Sequence, residues 1–140
     1  MKITIVAVDL RSPAWAFTAV EDYLTRFPRD WKVELKTVKE EPRHGQSKSD
    51  LMAAEADRIR KAIPKGSLLV TLDERGKDLT TVEFAKKLSA WQDSGESVAF
   101  VIGGTDGIDP ALKQESRMMI RLSSMTLPHA LARVILSEQI

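Results

Sequence analysis

The sequence predicts an α/β protein, a mostly parallel sheet flanked by helices. Short runs of β-branched and apolar residues alternate with longer stretches of helical periodicity. Glycine, proline and aspartate punctuate the junctions between them. Two of the runs, residues 2–8 and Val98–Ile102, carry almost no polar alternation, as strands covered on both faces require. With 140 residues, 43% of them hydrophobic, the chain is long enough for one domain around one sizeable core. The expected order is strand and helix in strict alternation, five of each, which implies crossover connections.

Taken in order, residues 2–8 form the first strand. Ser12-Pro13 opens the first helix, with serine as the cap and proline at the first helical position. Trp15, Ala19, Tyr23 and Phe27 recur at helical spacing, and Pro28 stops the run. From 31 to 38, Trp31, Val33, Leu35 and Thr37 alternate with charged neighbours, the pattern of a strand with one wet face. Residues 40–49, EEPRHGQSKS, have no period and read as a loop. An amphipathic helix over 50–63 ends at Pro64 and Gly66.

Residues 68–72 are a buried strand closed by Asp73. Thr80 and Glu83 have capping-box spacing and open a helix carrying Phe84, Leu88 and Trp91 that ends at Gly95. The run Val98–Ile102 stops at Gly103-Gly104, turns through Asp106-Gly107, and enters a helix opened by Asp109-Pro110. A second apolar-to-polar passage, 118–126, leads through Leu127-Pro128 into a last helix over 128–140. That helix carries Leu131, Val134, Ile135 and Leu136, more apolar surface than a short helix on a monomer core needs, so self-association is expected.

No apolar run approaches the ~18–20 residues of a membrane span, and the N-terminal MKITIVAVDL has no cleavage-like site; it reads as a buried strand. Cysteine is absent, which excludes disulfide frameworks and thiolate zinc sites. A cytoplasmic protein is the expectation. The formal charge is only +1, but residues 26–65 hold eleven Lys/Arg against seven Asp/Glu. Such an excess can be a solvated face or an attraction for a polyanion.

In parallel sheets ligands collect where strand C-termini meet helix N-termini, which directs attention to residues 97–129. Gly103-Gly104-x-x-Gly107 lacks the Lys-Ser/Thr pair of a P-loop and the spacing of a dinucleotide fingerprint. It is either a tight turn or a place where backbone passes close to a flat ligand. His44 and His129 are far apart in sequence, so no metal-ligand pair is visible. Asp9 and Asp73 stand at strand ends, suited to capping the next turn or to accepting a phosphoryl group. His129 follows Pro128 at a helix N-terminus, where the dipole favours a neutral ring, as a ligand contact or as a cap.

The segments VAVDLRSPAW, DYLTRFPRD, LLVTLDERGKDLTTVEFA, VAFVIGGTDGI and, above all, LSSMTLPHALARVILSEQI resemble the SPOUT (α/β-knot) methyltransferases. The likeness is to the branch that methylates N3 of a pseudouridine in large-subunit ribosomal RNA, and it spans the whole chain in order. It implies a single α/β-knot domain over 1–140, a C-terminal trefoil knot and a homodimer. It implies S-adenosylmethionine as cofactor, held by Leu72, Gly103, Leu122 and Ser123, with Ser124, Met125, Thr126 and Leu127. It makes His129 the candidate catalytic base, and Arg11, Arg43, Lys48 and Arg133 the candidate contacts to rRNA in the large subunit. Neither a metal nor a membrane is implied. Chains of this family continue past the Glu-Gln-Ile seen here into a further helix and a Pro-Tyr-His tail. The alternative is therefore a non-catalytic binding module associated with ribosomes, and a phospho-accepting regulator on Asp9 and Asp73 stands behind it.

Overall fold

The computed structural model describes residues 1–9 and 11–140; Leu10, which the N-terminal apolar run includes, lies outside the described residues. Five strands and five helices alternate. They are β1 Lys2–Asp9, α1 Ala14–Leu24, β2 Lys32–Lys39, α2 Lys48–Ala62 and β3 Leu68–Asp78. They continue as α3 Thr81–Asp93, β4 Val98–Ile102, α4 Pro110–Glu115, β5 Met118–Arg121 and α5 His129–Gln139. The strands form one sheet in the order β2-β1-β4-β3-β5, every pair parallel.

The two central strands explain the unbroken apolar runs. In β1, Ile3, Ile5 and Ala7 face one side, where Phe84 and Leu88 of α3 and Leu136 of α5 cover them. Val6 and Val8 face the other, against Ala56 and Ile59 of α2 and Leu112 of α4. Every residue of β4 is buried, and Phe100 meets Phe84 and Trp91 edge-on at 5.9 and 6.4 Å. Edge strand β2 keeps its wet face. Thr80 and Glu83 form the expected capping box.

Several expectations are corrected. Pro13, not Ser12, is the N-cap of α1: its carbonyl accepts from Ala16 and Phe17 at 3.0 and 3.4 Å. Ser12 therefore lies one residue too early for its hydroxyl to reach the first helical amides. The buried stripe of α1 is Ala16 and Val20, because α1 packs against α5 along that line; Trp15 is 54% exposed. Helix α2 begins earlier than the charge pattern implied, since the Ser47 hydroxyl caps it by accepting from the Asp50 amide at 3.1 Å.

Asp73 does not close β3. The chain bulges out after Leu72 and rejoins the sheet, so both Leu72 and Lys77 are registered with Ile120. Gly76 makes this possible: a Cβ there would stand 2.6–2.8 Å from the Ile120 backbone. From β5 at the sheet's edge the chain returns to the middle, where α5 packs on α1 and β4.

Candidate cofactor cleft and its surroundings

Two chain reversals, after β4 and after β5, and the bulge in β3 between them meet around one cleft of about 820 Å³. That size suits a ligand of a few tens of heavy atoms. The first reversal follows β4. Gly103 cannot carry a side chain, because a Cβ would lie 2.7 Å from Ile108 Cγ1 and 2.8 Å from the Gly107 carbonyl carbon. The turn then closes with the Gly107 amide donating to the Gly104 carbonyl at 3.0 Å, and Gly107 takes a φ of +89° that only glycine adopts freely. A turn tightened in this way brings bare backbone to the cleft wall.

The second reversal follows β5, where the Met125 amide donates to Ser123 Oγ at 3.0 Å. Met125 is 76% exposed at the rim. Between them the β3 bulge completes the wall, where Asp73 accepts from the Arg75 amide at 2.8 Å and pairs with Lys113 Nζ at 2.6 Å. Burial pushes the Asp73 carboxyl up, but the Lys113 hydrogen bond and the Arg75 amide outweigh it and leave it below the ordinary range.

Of the residues named from sequence, Leu72, Gly103, Leu122 and Ser123 line this cleft, as do Met125, Thr126 and Leu127. Ser124 does not: it is exposed on the outside of its turn. His129, the first residue of α5, also lines the cleft. Both of its ring nitrogens are shielded from solvent and have no hydrogen-bond partner among the described residues. Burial, followed by the charge of Arg133, lowers its pKa to about 4 against the opposing pull of Asp9, so the ring is neutral at pH 7.

The four cations separate. Lys48 lines the cleft. Arg43 sits beside the glycine turn, its guanidinium 2.7 Å from Asp106. Arg11 is exposed, with φ +55° and its amide donating to Asp9 Oδ1 at 3.2 Å. Arg133 is only 4% exposed and donates to the Val8 carbonyl at 3.3 Å. A phosphate contact through Arg133 is therefore corrected: α5 packs that side chain inward. Asp9 ends β1 and does not line the cleft, while Asp73 lines it paired with Lys113, so the two do not form a phosphoryl-accepting pair. Among the described residues no group of three or more His, Cys, Asp or Glu is placed to hold a metal, and no helix is long and apolar enough to cross a membrane.

Sequence reasoning missed Glu55. It is buried within the apolar stripe of α2 and accepts from the Glu41 amide at 3.0 Å. Burial holds its carboxyl above the usual range despite that amide. With Arg43–Asp106, it ties residues 40–43 down beside the glycine turn. The available signal was a carboxylate at the position four after Leu51, where the stripe calls for an apolar residue.

A family model described as "Predicted SPOUT methyltransferase" matches residues 1–140. The chain is 56% identical to Ribosomal RNA large subunit methyltransferase H of Paracidovorax citrulli, over all of this chain and 90% of that protein. It is 54% identical to the protein of the same name from Verminephrobacter eiseniae and 53% to that from Polaromonas naphthalenivorans, with the same coverage.

Proposed function

This chain belongs to the SPOUT methyltransferase family, and on that premise we propose that it methylates ribosomal RNA of the large subunit, at N3 of a pseudouridine, with S-adenosylmethionine as donor. The observation that carries the reading is the meeting of the β4 and β5 turns and the β3 bulge on one cleft. The residues there fit such a group: two glycines present backbone without side chains, and the leucine side chains of 72, 122 and 127 offer apolar walls for a flat base. When bound, the cofactor supplies an electrophilic methyl group on sulfur.

The work left to the protein is mostly positioning, because displacement at a methyl carbon needs in-line approach and little covalent help. Transfer of that methyl from sulfur to N3 would require the N3 proton to leave. His129 is the group we assign to that proton: its neutral ring lines the cleft with no partner among the described residues, and takes the N3 proton from a base seated against it. Its low basicity has a second use, since an uncharged imidazole does not repel a cationic sulfonium. Lys48 at the cleft, Arg43 beside it and Arg11 are assigned to RNA phosphates.

The fold is read as a single α/β-knot domain over 1–140, working as a homodimer in the cytoplasm, where its substrate resides. The return of the chain from β5 to the middle of the sheet supports the knot. Trp15, Phe17, Leu131 and Met125, large apolar side chains left exposed, support the dimer.

Isothermal titration with S-adenosylmethionine tests the cofactor half, and methyl transfer to ribosomes lacking the modification tests the rest. Replacing His129 by Gln should keep cofactor binding and slow transfer by about a hundredfold, the usual scale of a lost acid–base group. A folded protein that takes up no cofactor overturns the reading outright.

A further inference from the structure

At the opposite end of the sheet from the cleft lies a second hollow, of about 440 Å³, between the start of β1, the start of β2 and the segment that follows α1. Its polar lining is dominated by Lys2, Arg29 and Lys32. Among the described residues none of the three has a carboxylate within 4.0 Å, and the one acid at the hollow, Glu34, is 3.7 Å from Lys36. Its apolar lining includes Phe27 and Trp31, whose rings are parallel within 6° at a centroid separation of 6.0 Å. We propose that this hollow is a second RNA-docking surface, which receives an unstacked base against the aromatic pair and its flanking phosphates on the three cations.

Three features select RNA as the occupant. Cations without carboxylate partners attract a polyanion, since no internal ion pair has to be broken first. Parallel aromatic rings add a sequence-tolerant platform for the flat face of a base, which single-stranded and looped RNA presents and a regular duplex conceals. The hollow is also large enough for a nucleotide, where a lone inorganic anion would be held by fewer walls. The surface stands away from the chemistry: eight-residue strand β1 separates it from the cleft by roughly 25 Å. Binding energy gathered there anchors a large RNA and leaves the reacting base untouched. The assignment goes beyond the methyl-transfer reading and needs only that the partner be RNA.

The test uses the whole chain and a fluorescein-labelled single-stranded RNA of mixed sequence, followed by anisotropy across a salt series. Replacing Arg29 and Lys32 together by Ala should weaken binding about tenfold at low salt. It should also make the slope of log K against log salt shallower by about 1.4, the value for two phosphate contacts on a single strand. Trp31→Phe should weaken binding a few-fold and leave that slope unchanged, because it trims only the stacking surface. Heat of cofactor binding should be the same in all of them, so a failure of the cleft reading and a failure of this one appear in different measurements. In a methylation assay the double variant should raise KM with kcat unchanged. Anisotropy curves identical to those of the unsubstituted protein overturn the proposal. So does tight binding of poly-glutamate with the same sensitivity to both variants, which would give the surface to an acidic protein.

Discussion

The two ends of the same five strands are finished in different ways. At their N-terminal ends the chain enters the sheet through direct backbone bonds. Lys32 donates to the Met1 carbonyl at 2.8 Å, Leu68 to Ser97 at 2.7 Å and Arg117 to Leu69 at 2.8 Å. At their C-terminal ends polar atoms are left wanting: the Ser12 hydroxyl, both His129 nitrogens and the Nε atoms of Arg121 and Arg133 are shielded from solvent without a partner among the described residues. Buried polar groups without partners cost stability, and a structure retains them where something else uses them. Stability is thus concentrated in the middle of the sheet, and unsatisfied polar atoms at the C-terminal rim where the cleft opens.

The largest effect that could break this contrast belongs to Phe100. It has no exposed surface and sits between Phe84 and Trp91. Phe100→Ala should cost about 3–5 kcal/mol in urea unfolding. Whatever remains folded should bind cofactor as before; a parallel loss of affinity would merge the two regions into one. Gly103→Ala should do the reverse. Its Cβ would collide with Ile108 and the Gly107 backbone, so about 1–3 kcal/mol of stability and at least about tenfold in cofactor affinity, some 1.4 kcal/mol, should be lost together. Calorimetry on the folded variant measures the second figure.

A smaller effect sharpens the contrast. Thr80→Ala removes one half of the capping box that opens α3, outside the lining of the cleft. It should lower the unfolding midpoint by an amount worth about 1 kcal/mol and leave cofactor affinity alone. The smallest effect at neutral pH should come from His129. In the folded chain its pKa is about 4 against 6.5 when free, so between these values the unfolded chain binds more protons. Stability from this group is complete above about pH 6.5 and declines as pH falls toward 4. His129→Gln should flatten that decline, and urea titrations at several pH values read the slope directly.

What was legible in the sequence was local. The runs of β1 and β4, the Thr80–Glu83 box and the glycine turn each depend on residues a few positions apart, and pattern alone places them. Less legible was anything decided by distant packing. Trp15 and Ala16 are neighbours, and only the position of α5 determines which is covered. The bulge in β3 depends on the Ile120 backbone filling the space over Gly76. The burial of Arg133 needs α5 laid across the end of β1. For the cleft, strand-end logic indicated the region and the family likeness supplied its residues. Neither foresaw that Ser124 turns outward while Ser123 turns in, since successive side chains of a tight turn diverge.

The hydrogen bond from Arg133 to Val8 joins positions 125 residues apart. In folding, its loop is a long one to shut. Contacts of that span slow folding. The rim around His129 hangs on that contact, so in refolding it should mature no earlier than the sheet beneath it, and stopped-flow recovery of cofactor binding checks the order.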